Sequence, residues 1–203
     1  MNLGFDLDEW NKVTPIEAGE FESLALGGHE IIIVDARLYT SDFSNNTSLR
    51  VCVDISGEDE QKGFFRKKYN ENTAEKKEWP TGATKYLSLK KENLAYTKGF
   101  ITSLEKSNAN FKFDTSKDWK QLHGLKCAGV FGLEEYTKQD GTTGTATKLV
   151  QFRSLDKLNE IKIPKVKLLD GTFIEYEKYN KNEGNKIEET FGDVVEIDDS
   201  FLD

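Results

Sequence analysis

The chain has two cysteines, three prolines, one methionine and two histidines among 203 residues, and each scarcity removes a class of protein. Cys52 and Cys127 both stand in apolar strand patterns, so they read as small buried hydrophobes rather than as a disulfide framework. Neither an HExxH nor a paired CxxC spacing occurs, which removes the common zinc sites. His29 and His123 lack an Asp, Cys or Ser at a known catalytic spacing, and Glu134 and Glu135 alternate across a strand and point apart. Gly141 to Lys148 resembles a phosphate loop only in composition, because it lacks the Gly-Lys-Ser/Thr ending and opens a strand rather than a helix. The chain therefore reads as a non-enzyme with no cofactor and no metal. No apolar run nears the roughly 20 residues that a membrane-spanning helix needs. Residues 1–8 carry acids where a secretory signal carries positive charge. The expectation is a soluble, cytoplasmic protein with no membrane partner.

What is present is charge, unevenly laid out. The net charge is -8, with 36 acids against 28 bases. Residues 1–22 hold six acids and one base, and residues 182–203 hold eight acids and one base, Lys186. Removing these 14 acids and 2 bases leaves 22 acids against 26 bases, a middle of +4 between two acidic ends. Such asymmetry suggests a basic surface for a polyanion and an acidic tail. The organisation expected is an arm over 1–26, a domain over 27–180 and a disordered acidic tail over 181–203, where acids with few apolar residues cannot bury enough surface to order the chain.

Three consecutive strands are predicted first. Ile31 to Tyr39 is largely apolar, and Leu49 to Ile55 alternates, with Leu49, Val51, Val53 and Ile55 on one side and Arg50, Cys52 and Asp54 on the other. Gly63 to Tyr69 is read as the third. Asn70 to Thr84, charged and punctuated by Pro and Gly, is expected to be a mobile connection with Trp79 its one large apolar residue. Leu87, Leu94, Ile101 and Leu104 recur at helical spacing, and Ser107-Asn108 ends that helix. Two more strands, Leu125 to Tyr136 and Thr145 to Arg153, flank an Asp140-Gly141 hairpin signal, and Asp170-Gly171 marks an extra hairpin. A mainly β chain of five strands with one helix between the third and fourth has the order of the OB-fold, a partly open barrel that binds nucleic acids or sugars.

The binding candidates follow from that order. Phe64, Phe65, Arg66, Lys67, Lys68 and Tyr69 combine rings that can stack on bases with cations that can face phosphates. Arg37, Tyr39 and Arg50 extend the patch, as do Phe43 in the first loop and Lys138 in the fourth-to-fifth-strand loop. At the other end of the chain, Asp198, Asp199, Phe201 and Leu202 offer acids and two large apolar side chains for a partner's basic-rimmed apolar pocket.

An acidic tail tipped with an aromatic residue after such a domain resembles the arrangement of bacterial and phage single-stranded DNA-binding proteins. More narrowly, Ala18-Gly19-Glu20-Phe21-Glu22, the β-run, Leu49 to Ile55 and Lys62-Gly63-Phe64-Phe65 are similar to small replication-module proteins of phages of Gram-positive bacteria. This chain departs from the cellular proteins in ending Phe201-Leu202-Asp203 rather than on Phe. The resemblance implies single-stranded DNA as partner, recruitment of replication or recombination proteins through the tail, possible homo-oligomers and a host-cell cytoplasmic location. The alternative is a protein-interaction or virion component with no nucleic-acid role.

Overall fold

The computed structural model describes residues 23–41 and 44–180. Seven strands form one mixed sheet: β1 (Gly27–Thr40), β2 (Thr47–Ile55), β3 (Thr84–Ser88), β4 (Lys126–Thr137), β5 (Thr143–Arg153), β6 (Val166–Lys167) and β7 (Phe173–Ile174). Among the described residues α1 (Phe64–Glu71) and α2 (Leu94–Ser107) lie between these strands, and residues 176–180 after β7 are helical. The strand order is β3-β2-β1-β4-β6-β7, with β5 on β4. All pairs are antiparallel except β4 with β6, which meet in parallel at Glu134 and Lys167. Among the described residues no strand pairing joins β5 to β3, so the sheet is not closed into a barrel.

Leu49, Val51, Val53 and Ile55 of β2 are all buried as read, but Cys52 and Asp54 on the other side are buried too, so the second half of the strand is covered on both faces rather than half-buried. Ile31 and Ile33 of β1, Phe131 of β4, and Phe100 and Leu104 of α2 complete the centre of the core. Cys52 and Cys127 are free and buried, and burial raises both thiols above their ordinary range. The extra hairpin is present in reduced form as β6 with β7. Leu24, inside the stretch read as an arm, is buried in the core.

Two expectations are overturned. Residues 64–71 form α1, not a strand, because a capping group arrives from elsewhere in the chain. Gly63 takes a left-handed conformation, φ 76°, that turns the chain into the helix. The buried carboxylate of Asp54 then accepts from the amides of Phe65 at 3.0 Å and Arg66 at 3.4 Å. An anion at the first helical turn satisfies donors that no intrahelical carbonyl can reach. Phe64 and Phe65 point into the core, where Phe65 stacks on Phe131 at 5.7 Å. Burying each ring contributes roughly 1.5–3 kcal/mol.

The third strand is instead β3, and Leu87 lies in it rather than on α2. The helix buries Thr97, Phe100, Ile101 and Leu104, ends at Ser107 as read, and leaves Leu94 exposed. The connection before β3 is exposed over residues 70–78 and anchored at its end, where the Trp79 indole donates to the Val53 carbonyl at 2.9 Å and lies against the core. β5 comes close to the turn that precedes β3. A Cβ at Gly82 would stand 2.6 Å from the Thr147 carbonyl oxygen, so only glycine permits that approach.

Candidate functional site

An irregularity in β1 makes the site. The β1–β2 register shifts between Ile33 and Asp35, a β-bulge at Val34. Before it, His29, Ile31 and Ile33 face inward; after it Ala36 is buried, and Asp35, Arg37 and Tyr39 move to the outer face. There the register aligns Arg37 with Arg50 of β2, and Arg50 with Tyr86 of β3. One row across three strands thus carries two guanidiniums and a ring. In the adjacent row Tyr39 stands opposite Ser48, whose small side chain leaves room for the Tyr39 and Tyr86 rings to meet at 5.2 Å. Tyr39 is 41% and Tyr86 50% exposed.

The β4 side of the outer face is covered. Pro164 packs over Gly132, where a Cβ would come within 2.5 Å of it. The β1–β2–β3 side instead opens onto a cleft of about 400 Å³, walled by α1 and the segment leading to β3. Arg37, Arg50, Lys76 and Lys77 line it against two acids, Asp35 and Glu78. Tyr69 and Trp79 meet in a tilted pair at 5.3 Å on its wall, with the Arg66 guanidinium 5.9 Å from the Trp79 ring and the Lys77 ammonium 5.9 Å from the Tyr69 ring. Asp35 pairs with Arg37 at 3.1 Å, while the Arg50 Nε is buried with no hydrogen-bond partner. A buried donor without an acceptor is costly and favours any anion that reaches it. Flat rings, guanidiniums and a surplus of positive charge on one open face suit a ligand that has both a π-face and anionic groups.

The structure sorts the residues singled out in the sequence. Arg37, Tyr39 and Arg50 come together with Tyr69 at this face. Phe64 and Phe65 do not, because they are core. Arg66 is drawn to Asp54 at 3.5 Å, and Lys68 lies over the Phe64 ring at 4.4 Å. Lys67 is exposed on α1, and about 100° of turn per residue carries it away from the flank that Arg66 and Tyr69 share against Trp79. Lys138 is exposed where the β4–β5 hairpin turns, its amide donating to the Thr142 carbonyl. Phe43, Asp198, Asp199, Phe201 and Leu202 lie outside the described residues.

Sequence reasoning missed Tyr86, Lys76 and Lys77, and gave Trp79 no role at the site. The signal was there in part: Thr84, Tyr86 and Ser88 alternate with Lys85 and Leu87, but assigning Leu87 to a helix hid it. Among the described residues no cluster of His, Cys, Asp or Glu could hold a metal ion, and no helix is long and apolar enough to cross a membrane. Neither protein-family models nor curated proteins give a match to the chain.

Proposed function

We propose that the protein binds single-stranded DNA on the outer face of β1, β2 and β3, as a non-enzymatic coating protein of a phage replication or recombination module. The observation that carries this reading is the row Arg37, Arg50 and Tyr86 with Tyr39 beside it and the Tyr69–Trp79 pair at its end. Every base offers a π-face worth about 1–3 kcal/mol on an aromatic ring, and the phosphates between bases need cations at intervals. An isolated anion site would not need four exposed or half-exposed rings, and a protein-docking face would not need so many cations around them.

The strand order supports an OB-type reading of the sheet. β1 lies between β2 and β4, α2 falls between β3 and β4, and β5 returns against the turn before β3, an order shared with the partly open, five-stranded Greek-key barrel although this sheet is not closed. In that fold the second and third strands carry the nucleic-acid face. The tail's role is to recruit replication or recombination partners through Asp198, Asp199, Phe201 and Leu202, and its eight acids compete with phosphates for the cationic face.

The test is a fluorescence titration of the whole chain with labelled oligo-dT at low and high salt. Saturable binding that weakens steeply as salt rises is expected, by about 0.7 in the logarithmic slope for each phosphate contact. No saturable binding at low salt would contradict the reading and leave the protein-interaction or virion alternative.

A further inference from the structure

The unpaired edges of β3 and β5 frame a second cleft. Among the described residues β3 has β2 on one side and no strand on the other, and β5 has only β4. β5 comes against the turn before β3, with Thr147 at Gly82, and the two strands themselves are unpaired beyond that point. A cavity of about 530 Å³ lies between Lys85–Ser88 and Val150–Arg153, with α2 as its floor. That volume is within the range of small-molecule sites and holds a mononucleotide. The floor is bare at Gly99, where a Cβ would meet nothing within 4 Å. Its charged lining residues are Lys85 and Arg153, with no acid among them. Tyr96, 75% exposed, stands at its wall, and Gln151 and Asn93 bring amide groups that both donate and accept.

Tyr86 belongs to both places. Its ring pairs with Tyr39 on the outer face, and the same residue lines this cleft. A strand that follows the Arg37–Arg50 row therefore reaches the β3 edge at Tyr86 and meets an opening with an aromatic wall and two cations. We infer that the cleft takes one nucleotide of the bound strand, its base turned off the sheet at Tyr86 and laid beside the Tyr96 ring, with Lys85 and Arg153 facing its phosphate. This rests on the single-strand reading and adds to it a path and an end point. The occupant is a nucleotide rather than an acidic peptide strand, because the rings and amides supply a stacking face and donors to a base edge, where a peptide would need only the strand edges.

Gly99→Gln tests it without touching the core. The position is helical, exposed and open, so a helix-forming side chain there fills cleft space, and the variant is expected to melt no lower than wild type. Oligo-dT carrying 5-iodo-deoxyuridine is bound to the full chain, irradiated, and the cross-linked peptides are mapped by mass spectrometry. Wild type is expected to cross-link at Tyr96 as well as at Tyr39 or Tyr86. Gly99→Gln is expected to lose the Tyr96 cross-link, keep those on the outer face, and bind about five- to ten-fold more weakly, the low end for one stacked base. Cross-links at Tyr39 or Tyr86 with none at Tyr96, or a Tyr96 cross-link that survives Gly99→Gln, would overturn the inference and leave the outer-face reading intact. An oligonucleotide that neither binds nor cross-links would end both.

Discussion

Two aromatic pairs of nearly equal spacing sit in opposite surroundings in this molecule. Phe64 and Phe65 meet at 5.1 Å and are buried beneath α1, while Tyr39 and Tyr86 meet at 5.2 Å on the open sheet face. The first pair is adjacent in sequence and flanked by Arg66, Lys67 and Lys68, so it has every sequence mark of a binding segment. The second is assembled from β1 and β3 across Ser48 and is invisible as a motif. Aromatic and cationic neighbours mark a site only where the backbone leaves their faces uncovered. The same residue types in a row along a helix divide between core and solvent.

The largest effect expected is on stability. Phe65→Ala removes a ring stacked on Phe131 and leaves a cavity, costing about 3–5 kcal/mol in a denaturant melt. Asp54→Ala is next, about 2–3 kcal/mol, because the amides of Ile55 and Phe65 and the Arg66 guanidinium lose one buried acceptor together. The outer face behaves the other way. Tyr86→Ala leaves the melt within about 0.5 kcal/mol and weakens single-strand binding by about 1–3 kcal/mol, with the salt slope unchanged. If Tyr86→Ala were to unfold the domain and Phe65→Ala only to weaken binding, the two pairs would have to exchange roles.

Much of this architecture could be read in the chain. β1 shows itself by period-two burial over its first half, β2, β4 and β5 by runs of apolar and β-branched residues, and the Asp140-Gly141 turn fixes the β4–β5 hairpin. α1 does not, because its capping oxygen comes from Asp54, eleven residues before the amide it holds, and no local pattern carries that contact. β3 is five residues long and puts Lys85 on its inward side, so its alternation is broken by a charge, while Leu87 matches the helical spacing of Leu94 and Ile101 by coincidence. Trp79 was visible as the one large apolar residue of its segment. What could not be seen was that Val53 offers its indole a carbonyl and so anchors the segment as a wall of the cleft. Arg37, Tyr39 and Arg50 share one face because β1 and β2 pair as the pattern suggests, although the bulge that turns Arg37 and Tyr39 outward leaves no mark in the pattern.

The smallest effect expected is electrostatic. Removing residues 182–203 takes away eight acids and one base. Single-strand affinity is then expected to rise, most at low ionic strength, where the Debye length is about 30 Å at 0.01 M against about 8 Å at physiological strength. Titrations of full-length and truncated protein at two ionic strengths check this, with circular dichroism to confirm an unchanged fold. Equal affinities at low salt would mean that the tail does not compete for the face.

Arg50 and Lys67 separate the open face from α1 most sharply. Both are cations of the region from Gly27 to Tyr69, but Arg50 lies in the row with Arg37 and Tyr86, while Lys67 is on the flank of α1 turned from Tyr69 and Trp79. The measurement is the salt dependence of oligo-dT affinity for wild type, Arg50→Gln and Lys67→Ala. Arg50→Gln is expected to lower the logarithmic slope by about 0.7, the loss of one single-strand phosphate contact, and Lys67→Ala to leave it unchanged. A slope lowered by Lys67→Ala and untouched by Arg50→Gln would put the strand on α1 and contradict the outer-face site.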